Sequence, residues 1–216
     1  MDGECETDAN ASRERIEAAK ENRRFFSNSG KPDRERWCVL RFLKHLQIPF
    51  DDGEVLVGRE EPVDMAFREA RFQVKEILDP DRRRTDEYRE AEEKARRGDE
   101  MLDVCEPHTH MPVSLVEVVD QVIQEAARWS GKYASGEYLQ LDLLIYYNVQ
   151  YRHVCGDAVP ERITQNADVS KWRSVAVVSD DFAFVLSALP SAPEFVRSAQ
   201  GPVHRDGIDS FKHFDL

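Results

Sequence analysis

Asp64, Gln73 and Lys75 place a carboxylate, a side-chain amide and an ammonium close together in the chain. They sit in two short apolar stretches, Pro62-Val63-Asp64-Met65-Ala66-Phe67 and Arg71-Phe72-Gln73-Val74-Lys75-Glu76-Ile77-Leu78. In an extended strand alternate residues share a face, so Gln73 and Lys75 point one way and Phe72 and Val74 the other. A carboxylate and an amide oxygen suit a hard divalent cation, Mg²⁺ or Mn²⁺, which takes oxygen ligands. Such a cation polarises a phosphoryl oxygen and activates water, and a neighbouring lysine orients that water and offsets developing negative charge. Phosphodiester hydrolysis is therefore the chemistry these residue types support, with Asp64 as central ligand, Gln73 as a second oxygen donor and Lys75 as the positioning cation. Glu35 can add a carboxylate from a helix. The same residues also suit a plainer reading: Asp64 and Lys75 as an ion pair on a sheet face, and Glu35 pairing within its helix with Arg34 or Arg36.

The elements that must position them are legible from periodicity. After an acidic tip at residues 1–11, residues 13–26 read as a helix capped by Ser12. A second helix runs from Asp33 to Leu46, with Val39, Phe42, Leu43 and Leu46 at the spacing of a core-facing stripe. Glu35 falls one turn before Val39, on that stripe. Residues 54–57, 63–67 and 72–78 read as three strands of an antiparallel meander joined by short polar links. Asp79-Pro80-Asp81 breaks the third, and Thr85 to Arg97 reads as a charged, solvated helix. Ser114 caps a long amphipathic helix from Leu115 to about Tyr133, with Val118, Val119, Val122, Ile123 and Ala126 on its apolar face. Lys132 and Tyr133, just past it, can approach the site from the side. Residues 139–147 read as a buried central strand and 172–178 as another, with a strand or short helix at 182–189 and a helix at 193–199. Residues 99–112, 154–171 and the tail from Gly201 read as irregular or loop. Trp37, Trp129, Trp172, Tyr146 and Tyr147 read as core aromatics.

This pattern describes an α/β (α+β) fold, a mixed central sheet flanked by helices in the order α-β-β-β-α-β with C-terminal additions. Residues 1–31 form an N-terminal acidic tip and basic helix, 32–190 a single domain with a charged helical insert at about 80–112, and 191–216 a C-terminal helix and tail. The chain has 216 residues, 41% hydrophobic and 33% charged, as expected of a soluble globular protein. No run is long and apolar enough for a membrane span, and the N-terminus is acidic and polar, so the expected location is cytoplasmic, without membrane association. The net charge of −12 argues against a broad phosphate-binding surface. Basic residues nevertheless cluster: residues 13–44 hold ten, including Arg23, Arg24 and Lys31. Cys105, His108 and His110, with Cys155 further on, are zinc-ligand types. Their spacing matches no standard finger, and Pro107 interrupts them, so the expectation is loop without metal.

In order and residue type, Glu35, Pro62-Val63-Asp64 and Gln73-Val74-Lys75 resemble the PD-(D/E)XK nuclease superfamily over residues 33–148, with one residue inserted in the first half-motif. The resemblance implies a restriction-endonuclease-like core, Mg²⁺ or Mn²⁺ as cofactor, Asp64, Gln73 and Glu35 as metal ligands, and nucleic acid as partner, DNA ahead of RNA, with a homodimer as one assembly. It makes Arg23, Arg24, Lys31, Arg82, Arg83 and Arg84 backbone-phosphate contacts, beside the plainer reading of the arginine clusters as a solvated surface balanced by neighbouring acids. Gln73 departs from the superfamily, which usually has Asp or Glu there; the amide keeps an oxygen ligand but loses a charge, which lowers metal affinity. More narrowly, Asn22-Arg23-Arg24-Phe25-Phe26-Ser27-Asn28-Ser29-Gly30-Lys31, Phe72 to Pro80 and Arg82-Arg83-Arg84 are similar to a bacterial family of unknown function labelled "putative endonuclease". Two rival expectations stand beside the nuclease: a catalytically silent nuclease fold used as a binding or regulatory module, and an acidic protein-interaction domain whose charged helix, Thr85 to Arg97, docks a partner.

Overall fold

A computed structural model of the chain describes residues 3–79, 84–97, 111–133, 136–149, 152–159 and 171–205. Two compact units emerge, residues 1–34 with 80–109 and residues 35–79 with 110–216. The charged insert thus groups with the N-terminal helix, and the C-terminal segment groups with the sheet.

The first unit contains α1 (Gly3–Phe25) and α3 (Arg84–Arg97). The acidic segment expected as a tip is instead the opening of α1. No proline interrupts the chain before Pro32, so nothing in the backbone chemistry stops the helix from starting this early. Helix α3 is not wholly solvated. Glu92 is buried and accepts a hydrogen bond from Arg23 Nη1 at 2.7 Å, while Phe26 stacks on Tyr88 with ring centroids 4.4 Å apart. A helix of low apolar content is held here by an ion pair and an aromatic stack, neither of which shows as a hydrophobic stripe.

In the second unit, α2 (Lys31–His45, residues from Glu35 onward) precedes a seven-stranded mixed sheet. The strands are β1 (Leu56–Val57), β2 (Met65–Phe67), β3 (Ala70–Leu78), β5 (Asp142–Asn148), β7 (Ser174–Val178), β8 (Ala183–Ala188) and β9 (Val203–His204), hydrogen-bonded in that order. β1–β2–β3 is the expected antiparallel meander; β3–β5 and β5–β7 are parallel, and β7–β8–β9 antiparallel. The segment at 182–189 contains strand β8, whose residues alternate between the two cores, Ala183 and Val185 in one and Phe184 and Leu186 in the other. The tail expected as loop contributes β9. A separate parallel pair joins β4 (Met111–Ser114) to β6 (Arg152–Cys155), in stretches expected to be irregular. Helix α4 (Leu115–Ser130) starts at a capping box: Ser114 Oγ accepts from Glu117 N at 3.2 Å, and Glu117 Oε2 accepts from Ser114 N at 3.0 Å. The short α5 is Glu194–Arg197.

The two helices cover opposite faces of the sheet. Cys38, Val39, Phe42 and Leu43 of α2 pack with Phe72, Val74, Leu144, Tyr146 and Val178. Val118, Val119, Val122 and Ala126 of α4 pack with Leu143, Ile145, Tyr147, Val175 and Val177. β5 alternates strictly between these two cores, as a strand buried on both faces must. Each fully buried aliphatic side chain contributes roughly 1.5–3 kcal/mol, so these two layers anchor everything the sheet carries. Among the described residues no helix is long and apolar enough to cross a membrane.

Candidate active site

Asp64 stands immediately before β2, where its backbone N–H donates to Phe72 O at 2.9 Å and its carbonyl accepts from Gly58 N at 2.9 Å. Since Met65 pairs with Phe72, Asp64 lies across from Gln73 and on its face of the hairpin. Gly58 is required by close approach: a Cβ there would collide with the carbonyl of Val63, one residue from Asp64.

The expected convergence of Asp64, Gln73 and Lys75 is present. Asp64 Oδ2 accepts from the backbone N–H of Val74 at 2.9 Å and from Gln73 Nε2, and Lys75 Nζ lies 3.6 Å away. Asp64 and Gln73 are buried, and the Lys75 side chain is nearly so. A buried carboxylate is costly unless paired, and here it has two N–H donors and an ammonium.

The far side of the cluster is built by the end of α4 and the turn after it. Tyr133 donates its hydroxyl to Gln73 Oε1 at 2.5 Å. The Lys75 ammonium lies 4.4 Å from the centroid of the Trp129 ring, and Lys132 Nζ lies 3.8 Å from it. Trp129 Nε1 in turn donates to Glu125 Oε1 at 2.5 Å. Trp129, expected in the core, is therefore a partly exposed wall of the site. A signal for this exists in the sequence: Trp129 and Tyr133 continue the stripe of Val122 and Ala126 at helical spacing, and that stripe faces the sheet. Trp172, Tyr146 and Tyr147 are buried as expected.

Glu35 is buried on α2, the helix covering the face that bears Phe72 and Val74. Gln73 and Lys75 belong to the opposite face, under α4. Among the described residues no three His, Cys, Asp or Glu side chains gather as metal donors. The oxygen donors at the cluster itself are the Asp64 carboxylate and the Gln73 amide, a set that fits a Mg²⁺-like ion held through one carboxylate, with water and substrate oxygens completing its shell.

Arg23, Arg24, Lys31 and Arg84, expected as phosphate contacts, belong to the first unit. Arg23 is committed to Glu92, and Arg24 Nη2 lies 4.0 Å from Asp33 Oδ2. Lys31 is exposed at the start of α2, and Arg84 opens α3. Arg82 and Arg83 lie outside the described residues, as do Cys105, His108 and His110; Cys155 is an exposed free cysteine on β6.

A second polar cluster was not anticipated. Asp142, fully buried at the head of β5, accepts from Arg71 N at 2.9 Å, Ser174 Oγ at 2.7 Å and Arg173 Nε at 3.0 Å, with Arg173 Nη2 completing a bidentate pair. It staples the starts of β3, β5 and β7. An aspartate opening an otherwise apolar run was the available signal.

A protein of unknown function from Pseudomonas aeruginosa strain PAO1, described as monooxygenase superfamily, is similar in fold, with TM-score 0.58 and 23% identity over 97% of this chain and 99% of that one. At that identity the likeness is one of fold. No curated protein matches. Residues 7–210 match the family described as "Putative endonuclease, protein of unknown function (DUF1780)", and the chain belongs to that family.

Proposed function

We propose that this protein is a nuclease that hydrolyses nucleic-acid phosphodiester bonds at the Asp64–Gln73–Lys75 cluster, with Mg²⁺ or Mn²⁺ held at Asp64. One observation carries the reading: a buried carboxylate, an amide and an ammonium converge on one face of the β2–β3 hairpin, with Lys75 Nζ 3.6 Å from Asp64 Oδ2. The family description supports the class of activity. With α3 and β4 standing as insertions between β3 and α4, the chain order α2, β1–β3, α4, β5, with β5 parallel to β3, supports a restriction-endonuclease-like core.

When bound, the cation would polarise the phosphoryl oxygen and lower the pKa of the attacking water. Asp64 would anchor it, with Gln73 as the neutral oxygen donor. Lys75, held by Asp64 and the Trp129 ring, would orient the water and offset charge on the phosphoryl oxygens. Glu35, buried on α2 over the opposite face of the sheet, is assigned no part in the cation's shell, and DNA is the preferred substrate class.

A second reading, a silent binding module, is favoured by the amide of Gln73: its nitrogen, not its oxygen, faces Asp64. One experiment separates the two. Supercoiled, linear duplex and single-stranded DNA, and RNA, are incubated with the purified protein in Mg²⁺, Mn²⁺ or chelator, beside Asp64→Ala, Lys75→Ala and Glu35→Gln. Metal-dependent cleavage lost in the Asp64 and Lys75 variants is expected. Equal cleavage by all proteins, or none by any while substrate is still bound, sinks the nuclease reading.

A further inference from the structure

The Gln73 amide has two ends and two partners of different character. Asp64 Oδ2 can only accept, so in the metal-free site Nε2 must face it, leaving Oε1 for the Tyr133 hydroxyl at 2.5 Å. A cation at Asp64 reverses the demand: it repels the N–H and attracts the amide oxygen. An amide with a partner that only donates would resist the exchange, because turning over would leave its buried N–H unpaired. A phenol both donates and accepts, so Tyr133 satisfies either orientation. Trp172 packs edge-on against the Tyr133 ring, with centroids 5.6 Å apart, so the hydroxyl is presented from a braced ring.

We propose that the Gln73 side-chain amide turns over when a divalent cation binds at Asp64, presenting Oε1 to the cation and Nε2 to the Tyr133 hydroxyl, which makes Tyr133 a positioning residue for both states. This rests on the reading of Asp64 as a cation site. It gives the glutamine a role that a carboxylate at this position could not have: a neutral site closed by its own amide without metal and opened by it.

The Gln73 side-chain amide resonance, identified by its loss in Gln73→Glu, is followed by ¹⁵N–¹H NMR as MgCl₂ is added to the full chain. A saturable shift is expected in wild type and is absent in Asp64→Asn. In Tyr133→Phe the metal-free Nε2 protons keep their Asp64 acceptor, whereas the Mg²⁺-bound ones lose theirs. Their exchange with solvent should therefore be several-fold faster than in wild type only when Mg²⁺ is present. An unmoved resonance at saturating Mg²⁺, a shift that survives Asp64→Asn, or equal acceleration with and without Mg²⁺ overturns the proposal. A turning amide in a protein that cleaves nothing would refute the nuclease and keep this inference; Asp64-dependent cleavage with an unmoved amide would do the opposite.

Discussion

Trp129 lies under Lys75: the ammonium stands 4.4 Å from the ring centroid and 3.6 Å from Asp64 Oδ2. The lysine is thus directed by a π-face from α4 and a carboxylate from the hairpin.

Removing the ring should release the ammonium. A cation–π contact of this kind is worth about 1 kcal/mol, and a tenfold change in rate corresponds to about 1.4 kcal/mol. Trp129→Leu is expected to lower cleavage about five- to tenfold, and Trp129→Phe less, because it keeps an aromatic face. Initial rates on one DNA substrate, with chemical unfolding to confirm the fold, decide it; equal rates in all three proteins would show that the ring does not direct Lys75.

Asp64 and Lys75 should be energetically coupled whether or not the protein is an enzyme. With side chains 6% and 13% exposed, their charges stand 3.6 Å apart with little solvent to screen them. Asp64→Asn and Lys75→Met are each expected to destabilise, and the double variant by less than their sum, with a coupling of about 1–3 kcal/mol. Urea unfolding of the four proteins measures it. Strict additivity would mean the pair is held apart in solution.

Gly58→Ala should act at a distance. The new methyl would press on the Val63 carbonyl and shift the backbone that presents Asp64. Overpacking of this kind costs about 1–3 kcal/mol, and cleavage should fall at least as far as stability does. Parallel unfolding and activity measurements test the link; lost stability with full cleavage would place Gly58 outside the site's support.

Glu92 predicts a pH dependence. The Arg23 hydrogen bond holds its carboxyl below the ordinary 4.5, with Arg96 acting in the same direction and burial opposing both. A depressed folded value means stabilisation that is present above 4.5 and is lost as pH falls through the folded value. Glu92→Gln should therefore be less stable than wild type at neutral pH, with the gap narrowing under acid. Helical ellipticity during thermal unfolding across that range reads it; a gap independent of pH would show that the ionised pair contributes nothing.

Much of this protein was legible in its sequence, for a definite physical reason. Side-chain periodicity is local: a period of two puts Gln73 and Lys75 on one face, and the 3.6-residue stripe through Val39, Phe42 and Leu43 makes α2 a core helix. These rules identified the hairpin, the central strand and the capped α4. They do not say which helix covers which face of a sheet. Only the tertiary structure decided that α4 lies over Gln73 and Lys75, which turned Trp129 from an expected core residue into a wall of the site and gave Tyr133 its place on the amide. The same folding put Glu35 on the helix of the opposite face, buried Glu92 against Arg23, and closed Arg173 on Asp142. Each of these depends on residues far apart in the chain meeting across packed elements, and no local spacing encodes such a meeting.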